Sequence, residues 1–347
     1  IKNEKNIHKK MKKIFTYNST ILLILIIIIE LFFGHWFDQN NFGIHMRKHR
    51  NIHNLYEVKF NNKNYKFIYK RNFYGFRGNE IENFTDIKFV FLGGSTGNEK
   101  LLPEKLTIVG QINKLFKNKI QIINGSVDGK TLNGHYNDFK YWFTKLNNFK
   151  PQYFIIYAGI NDSVIDQPGK YDNTFEDSIL KNIRDYIVNN SIFIDLSRKV
   201  KNKYFSTYNF KYDISNSSKL YDNFIYKNYS FAKKIHNTKN LENYHKELSD
   251  RYKTRINKLI DTLDQFGSKI IFITQVKYDG LNDEKLFMLN EILKKISVKK
   301  NINIIKLDEM FEGEKGDFFD EVHTTPQGSE KIANIIYNEL NKIIFPY

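Results

Sequence analysis

The chain has 347 residues, of which 41% are hydrophobic and 16% aromatic, enough for one large folded domain or two small ones. It contains no cysteine, which excludes disulfides, zinc–thiolate sites and cysteine nucleophiles, so any chemistry must come from oxygen and nitrogen side chains. The formal charge of +16 would suit nucleic acid or an anionic membrane surface. Lysine is abundant along the whole chain, however, and no recognition helix, zinc finger or basic strand with interleaved aromatics is visible. We therefore expect no nucleic-acid partner.

The N-terminal region has the pattern of a membrane anchor. Residues 1–13 carry six lysines against one glutamate, and a long apolar run covers residues 21–37. Glu30 and the pair Gly34-His35 interrupt the run, whose length is near the lower limit of about 17 residues for a spanning helix. Trp36 suits a membrane interface. The pattern predicts a basic cytoplasmic tail followed by a transmembrane helix.

Two other interpretations of this region are less favoured. A cleaved signal peptide would need a small-residue cleavage site after the apolar run, and none is visible. A buried core helix fits poorly with nine consecutive Leu and Ile residues behind a lysine-rich segment. We expect a single-pass protein with a cytoplasmic tail over residues 1–16, a signal anchor over residues 17–37, and the rest of the chain, with its main domain, on the extracytoplasmic side. Whether the apolar segment is cleaved stays open.

A juxtamembrane segment is predicted over residues 38–80. Apolar and polar residues alternate over residues 56–60 and 65–69, and Asn61-Asn62 between them suits a turn. This pattern predicts a β-hairpin. We expect the loop after it to close onto the main domain through Phe76.

The main domain, residues 81–347, alternates strands with helices. Short apolar runs predict strands over residues 89–92, 119–123, 152–157, 269–274 and 303–307. Helical spacing of apolar residues predicts helices over residues 103–116, 131–146, 283–298 and 326–344. Strands separated by helices of this length indicate the α/β class, with a parallel sheet and right-handed crossovers.

An insertion over residues 163–242 is too long for an ordinary connection. It has candidate helices over residues 175–188 and 192–203, and we expect it to pack beside the sheet as a cap that shapes the substrate site. A long amphipathic helix follows it. The apolar face of that helix comprises Tyr244, Leu248, Tyr252, Ile256, Leu259, Ile260 and Leu263.

Candidate catalytic residues follow the predicted strands. Ser95 comes after the first strand and two glycines, Gly129 lies in the loop after the second strand, and Asn161 follows the third. Asp320 stands three residues before His323, so its carboxylate can accept from one imidazole nitrogen while the other faces the serine. Singly, each of these is compatible with an ordinary turn, a helix cap or a surface position. Together, at one edge of one sheet, they indicate a nucleophile, a base, an orienting acid and oxyanion donors.

On these residues the chain resembles the SGNH, or GDSL-like, hydrolase superfamily, from Lys88 to the C-terminus apart from the insertion. The family's first block usually reads Gly-Asp-Ser. Here it reads Gly93-Gly94-Ser95-Thr96, with Gly94 in place of the aspartate, and it resembles a Gly-Gly-Ser-Thr branch of the family. The resemblance implies a three-layer α/β/α sandwich with a flavodoxin-like five-stranded parallel sheet.

The remaining blocks also have counterparts. The second block pairs an asparagine with a glycine five residues on, as Asn124 and Gly129 do; Gly125 is a competing choice that the spacing disfavours. The third block matches Gly159-Ile160-Asn161-Asp162, and the last matches the Asp320–His323 pair.

The resemblance implies a role for each residue. His323 takes the proton from Ser95 as the serine attacks an ester carbonyl, and Asp320 fixes the tautomer of the histidine. The backbone N–H groups of Ser95 and Gly129 and the Asn161 side-chain amide form the oxyanion hole. Supporting positions are Gly94, Thr96, Asn124, Gly159 and Asp162. No metal or cofactor is required.

The implied function is a serine esterase that hydrolyses or transfers short acyl esters through an acyl-enzyme. An extracytoplasmic, tethered enzyme of this kind would act on O-acetyl groups of glycans, and the aromatic-rich insertion would stack sugars. The open alternatives are an O-acetyltransferase, a lipid esterase or lysophospholipase, and a catalytically silent glycan-binding membrane protein. Acyl length and oligomeric state are not predicted by the sequence.

Overall fold

The computed structural model describes residues 2–37, 46, 49–60, 63–117, 119–164, 179–200, 209–214 and 225–345. Its strands are β1 Ile52–Phe60, β2 Lys63–Arg71, β3 Phe89–Gly93, β4 Ile122–Asn124, β5 Tyr153–Tyr157, β6 Asn209–Asp213, β7 Lys269–Ile273 and β8 Asn303–Ile305. Its helices are α1 Lys2–Phe33, α2 Ser95–Asn98, α3 Ile108–Leu115, α4 Leu132–Tyr141, α5 Ile160–Val164, α6 Ile179–Asn190, α7 Ile192–Val200, α8 Tyr229–Ile235, α9 Thr238–Tyr244, α10 Lys246–Phe266, α11 Glu284–Lys299, α12 Leu307–Met310 and α13 Pro326–Ile344.

The main sheet is parallel and has the order β4-β3-β5-β7-β8. This confirms the predicted α/β class with a flavodoxin-like five-stranded sheet. All five residues of β3 are buried, as expected for a central strand covered on both faces. In the register of β3 and β5, Gly93 pairs with Tyr157, so both strands end at the same edge.

Helices cover both faces of this sheet and give the three layers. Alternate strand residues point to opposite faces, so β3 contributes Val90 and Leu92 to one core and Phe89 and Phe91 to the other. The first core includes, from α4, α10 and α11, Phe139, Tyr252, Ile256, Leu259, Leu263, Met288, Leu289 and Ile292. The second includes, from α3 and α13, Ile108, Val109, Ile112, Ile332, Ile336 and Leu340.

Several predicted boundaries were wrong for local reasons. The helix expected from Pro103 begins at Ile108, because Thr107 is extended and its hydroxyl accepts from the Gly110 N–H at 3.0 Å. A turn of 3₁₀ helix, Glu104–Leu106, occupies the expected first turn. The second strand is Ile122–Asn124 instead of residues 119–123.

The long helix after the insertion also begins later than expected. The short helix α9 ends at Tyr244, and His245 is the N-cap of α10, so the two helices are separate and not one continuous helix. Tyr244 is consequently 80% exposed, not part of the apolar face. The other predicted face residues, Leu248, Tyr252, Ile256, Leu259, Ile260 and Leu263, are buried.

The predicted hairpin is present as β1 and β2, which pair antiparallel. Its expected turn, Asn61-Asn62, lies outside the described residues. A third strand, β6 from the insertion, pairs with β1 in parallel and was not predicted. The loop after β2 closes onto the main domain as expected, with Phe76 fully buried in the core.

The N-terminal helix α1 is longer than expected, because the lysine-rich lead is helical too. Between Lys10 and Phe33 it is long and apolar enough to cross a membrane, and none of that segment is buried. The insertion helices occur as α6 and α7; the first residues of the first prediction and the last of the second lie outside the described residues.

Candidate active site

Ser95 lies where β3 ends and the one-turn helix α2 begins. Gly94 is the N-cap, with φ −82° and ψ −148°, and the Ser95 side chain is half-buried. The loop after β4 is joined to this turn, since the Val127 N–H donates to the Gly93 carbonyl at 3.0 Å. The Ser95 turn is therefore held on one side by the loop after β4.

Asn124 holds the loop that carries Gly129. Its side-chain amide donates to the Gly97 carbonyl in α2 at 2.9 Å, and its side-chain oxygen accepts from the Ser126 N–H at 2.9 Å. Gly129 has φ +79°, the left-handed region that glycine adopts most readily. The supporting position predicted at Asn124 thus joins the Ser95 turn to the Gly129 loop.

Asn161 lies in the first turn of α5, beside the same two segments. Its side-chain amide donates to the carbonyl of Lys130, the neighbour of Gly129, at 2.8 Å. A Cβ at Gly94 would stand 2.1 Å from the Asn161 Nδ2. The amide therefore fills the space that a side chain at position 94 would need. The chain enters α5 through Gly159, at φ +143°.

Asp162 is buried and binds groups on two neighbouring helices, α4 and α10. Its carboxylate accepts from the Leu132 N–H at the start of α4, at 3.1 Å, and from the Arg255 guanidinium of α10, at 3.0 Å. A buried carboxylate needs such partners, because an unpaired charge in the interior is costly. Asp162 thereby anchors α4 just after the Gly129 loop.

Asp320 and His323 form a hydrogen-bonded pair ahead of α13. One Asp320 oxygen lies 2.7 Å from the His323 Nδ1, and the other accepts from the backbone N–H groups of Val322 and His323, at 2.9 and 2.7 Å. Burial raises the pKa of the Asp320 carboxyl, but these hydrogen bonds and the nearby imidazole outweigh it, so the net pKa lies below its ordinary value. The carboxylate binds Nδ1 and so orients the ring. Nε2 is the ring nitrogen that Asp320 does not bind.

Glu99 connects the Ser95 turn to the His323 segment and was not singled out in the sequence. It is the C-cap of α2, and its carboxyl accepts from the hydroxyls of Thr324 and Ser329, at 3.1 and 2.5 Å. Its other oxygen accepts from the Ile108 N–H at 2.6 Å. Full burial raises the pKa of Glu99 to about 7, although these hydrogen bonds act in the opposite direction. A buried acid therefore lies between the Ser95 turn and the His323 segment.

Gln275 is a second residue that sequence reasoning missed. It is buried just after β7, and its side-chain oxygen accepts from the Ile160 N–H at 2.6 Å. Its amide donates to the Thr96 hydroxyl at 3.0 Å. It thus joins the turn of Ser95 to the turn of Asn161. The signal was its position directly after a predicted strand, the same rule that identified Ser95 and Asn161.

The last residue of the β-hairpin and the loop after it support the site as well. Arg71 is buried, and its guanidinium donates to the Ser126 carbonyl at 2.7 Å and to the Asn98 side-chain oxygen at 3.1 Å. Arg77 donates through its backbone N–H to the Asn124 carbonyl at 2.8 Å. Within the described part of the chain, no group of three or more His, Asp or Glu residues is placed to hold a metal ion.

Comparison with known proteins extends these observations. The family model described as GDSL-like lipase/acylhydrolase matches residues 91–336. The structure is similar to a G-D-S-L lipolytic protein of Veillonella parvula, at 11% identity and TM-score 0.42, over 73% of this chain and 97% of that one. It is similar to TesA, at 10% identity and TM-score 0.44, over 74% and 99% of the two chains.

A catalytic mutant of an acetylxylan esterase from Geobacillus stearothermophilus is also similar, at 13% identity and TM-score 0.42, over 73% of this chain and 94% of that one. No curated protein matches the chain. Since the family model covers more than half of the sequence, the chain belongs to the GDSL-like lipase/acylhydrolase family and is an esterase of the SGNH type.

Proposed function

We propose that Ser95 is the nucleophile of this esterase, with His323 as its base and Asp320 as the group that orients the base. The observation that carries the proposal is the Asp320–His323 hydrogen bond of 2.7 Å, with the remaining Asp320 oxygen held by backbone N–H groups. An aspartate bound in this way selects the imidazole tautomer whose Nε2 can accept a proton, and it stabilises the imidazolium that forms.

The reaction proceeds in two steps, acylation of Ser95 and hydrolysis of the acyl-enzyme. In the first, Ser95 Oγ bonds to the ester carbonyl carbon, His323 takes the hydroxyl proton and passes it to the departing alcohol, and an acyl-enzyme remains. In the second, water bonds to the acyl carbon while His323 takes a proton from it; the bond between Ser95 Oγ and the acyl carbon then breaks, His323 returns the proton to Oγ, and the free acid leaves. The oxyanion of each tetrahedral intermediate accepts from the N–H groups of Ser95 and Gly129 and from the Asn161 amide.

A groove beside the site supports a glycan as the acylated substrate. Its volume is about 820 Å³, and its lining includes aromatic, amide and lysine side chains: Phe60, Tyr65, Phe319, Gln111, Gln327, Lys63, Lys105, Lys114 and Lys315. The Phe319 ring also stacks on the His323 ring, with centroids 5.7 Å apart, so the groove adjoins the base. Flat aromatic faces with hydrogen-bonding groups suit sugar rings, and the substrate we propose is a glycan carrying O-acetyl groups.

The insertion contributes to this groove. Ile214, which follows β6, is part of the lining, and its N–H donates to the Lys59 carbonyl of β1 at 3.0 Å. This contact supports a role of the insertion in shaping the substrate site.

The proposed location is a membrane surface. We assign residues 17–37 to a transmembrane anchor, residues 1–16 to a cytoplasmic tail, residues 38–80 to the juxtamembrane segment and residues 81–347 to an extracytoplasmic catalytic domain. The length of α1 and the exposure of its apolar part support the anchor, and the excess of lysine over residues 1–13, which include the N-terminal part of α1, supports the orientation.

Fluorophosphonate labelling tests the catalytic assignment. The wild-type protein should be labelled on Ser95, and Ser95→Ala should lose the label. His323→Ala should be labelled at least a hundredfold more slowly, because it lacks the base. Hydrolysis of p-nitrophenyl acetate should fall in parallel. A folded wild-type protein that neither labels nor turns over would exclude the mechanism.

The glycan assignment has a separate test in the groove. Tyr65→Ala should raise the KM for an acetylated oligosaccharide several-fold while leaving the turnover of p-nitrophenyl acetate unchanged, because the small ester does not reach the groove. Lys299→Ala, at an exposed position on α11, is the control. Equal effects of Tyr65→Ala on both substrates would count against the groove as the glycan site.

A further inference from the structure

The insertion helices α6 and α7 expose an apolar surface that the catalytic site does not use. In α6 the residues Ile179 and Leu180 are 76% and 79% exposed. The full set of exposed apolar residues on the two helices is Ile179, Leu180, Ile183, Tyr186, Ile187, Phe193, Leu196 and Val200. Within each helix these residues recur at intervals of three or four, which places them on one face. We call this exposed apolar surface of α6 and α7 the hairpin face; it is separate from the β-hairpin of β1 and β2.

The same two helices are attached to the end of α1. The Glu30 carboxylate accepts from the Ser191 hydroxyl and from the Ile192 N–H, the latter at 3.0 Å, and so caps the start of α7. The His35 N–H donates to the Asn190 carbonyl at 2.8 Å. The rings of Trp36 and Tyr186 meet edge to face, with centroids 5.8 Å apart.

These contacts set the position of α6 and α7 along the axis of α1. Glu30 precedes the last residue of α1, Phe33, by three positions, or about 4.5 Å along the helix axis. The start of α7 therefore lies level with the final turn of the apolar helix. Amphipathic helices that rest on a bilayer bury their apolar face about 5–10 Å into the boundary between headgroups and acyl chains. In the anchor proposed above, α1 leaves the bilayer near its final turn, so the start of α7 lies near this boundary.

We infer that α6 and α7 lie in the surface of the bilayer that α1 crosses, with the hairpin face in contact with lipid. The inference rests on the membrane anchor proposed above. Lipid is favoured as the occupant because the contacts of Glu30, His35 and Trp36 place the junction of α6 and α7 beside the end of α1, whose exposed apolar residues face lipid in the proposed anchor. A single span would let the catalytic domain swing freely, whereas this second contact holds it at a fixed height above the membrane.

Site-directed spin labelling tests the placement, and the absence of cysteine makes it clean. Single-cysteine variants of the full chain are Leu180→Cys and Leu196→Cys on the hairpin face, and Ile26→Cys in α1. Val298→Cys is the matched control, an apolar position 72% exposed on α11. Each is labelled with a nitroxide and reconstituted into phosphatidylcholine–phosphatidylglycerol vesicles. Collision with oxygen reports lipid contact, and collision with a water-soluble nickel complex reports water contact.

The expected result is that the labels at positions 26, 180 and 196 collide at least threefold more with oxygen relative to nickel than the label at Val298. If positions 180 and 196 behave like Val298 while position 26 is in lipid, the hairpin inference fails and the anchor stands. If position 26 is also in water, both fail.

A second copy of the chain is the competing occupant. Labels at positions 180 and 196 would then be shielded from both oxygen and nickel, and their spectra would sharpen on dilution with unlabelled protein; that outcome overturns the inference. Turnover of p-nitrophenyl acetate by each variant, with the vesicles present, verifies folding and keeps this test separate from that of the catalytic mechanism.

Discussion

Gly94 is the residue at which this chain departs from the usual first block of its family, and its neighbour Asn161 gives a physical reason. The Asn161 amide stands where a Cβ at position 94 would project, at 2.1 Å. A side chain there would displace the amide. The placement of the Asn161 amide therefore depends on glycine at position 94.

Replacing Asn161 tests its role as an oxyanion donor. Asn161→Ala should lower kcat on p-nitrophenyl acetate by on the order of a hundredfold or more, because one of the three proposed donors to the oxyanion is lost. The KM should change little, since the donor acts on the charge that develops in the transition state. Steady-state kinetics measure both; an unchanged kcat would mean that the amide serves only Lys130.

Gly94→Ala should lower kcat by about tenfold or more, because the added Cβ pushes the Asn161 amide out of place. A double-mutant cycle isolates this cause. If Gly94→Ala acts through Asn161, then adding it to Asn161→Ala should cost almost nothing further. Full additivity of the two losses in the double variant would show that residue 94 acts on the Ser95 backbone instead.

At the scale of elements, Gln275 joins three segments that only the sheet brings together. It follows β7 and binds the first residue of α5 and the second residue of α2. It touches neither the proposed nucleophile nor a reacting atom, so we regard it as a positioning residue. Its hydrogen bonds fix the relative placement of the turns that hold Ser95 and Asn161.

Substitution of Gln275 should separate positioning from stability. Gln275→Ala should lower kcat by about tenfold with little change in KM, and it should lower the free energy of unfolding by about 1–3 kcal/mol, because the buried Ile160 N–H loses its acceptor. Gln275→Glu retains that acceptor but loses the donor to Thr96, so it should recover part of kcat. Equal kinetics in wild type and Gln275→Ala, with stability alone reduced, would contradict the positioning role.

The success of element prediction depended on how local each signal was. The main-sheet strands and α13 were predicted because apolar runs and helical spacing are written in neighbouring residues. The strand β6 was missed because its partner β1 lies about 150 residues earlier, and its five residues, Asn209–Asp213, are mostly polar. The break between α9 and α10 was missed because the apolar spacing continues across it.

At the scale of the whole molecule, Glu99 couples the N-terminal and C-terminal parts of the catalytic domain. It connects α2, the start of α3 and the segment around Thr324, which follows His323. Its burial raises its pKa in the folded state to about 7, above its ordinary value. At pH values between about 4.5, the ordinary pKa, and about 7, Glu99 binds a proton in the folded protein that it releases in the unfolded chain.

The stability of the protein should therefore depend on pH through Glu99. As pH rises from about 4.5 to about 7, the Glu99 contribution to the free energy of unfolding should decrease by up to about 3 kcal/mol and then level off. Glu99→Gln resembles the protonated acid and should lack this decrease. Thermal unfolding of both proteins across pH 5–8 measures the difference; a constant gap in melting temperature would mean that Glu99 has the same pKa folded and unfolded.

Short-range patterns in the sequence were enough to predict the alternation of strands and helices, the apolar N-terminal helix, the family, and which polar residues follow the strands. The assignment of Ser95, Gly129, Asn161, Asp320 and His323 to catalysis stays a prediction, which the hydrogen bond between Asp320 and His323 supports. The contacts that hold those residues in place could not be predicted and are seen only in the folded chain. Thr324 meets Glu99 across 225 positions of sequence, and Ile160 meets Gln275 across 115. Such pairs leave no periodic signal, because their geometry exists only after the sheet has formed.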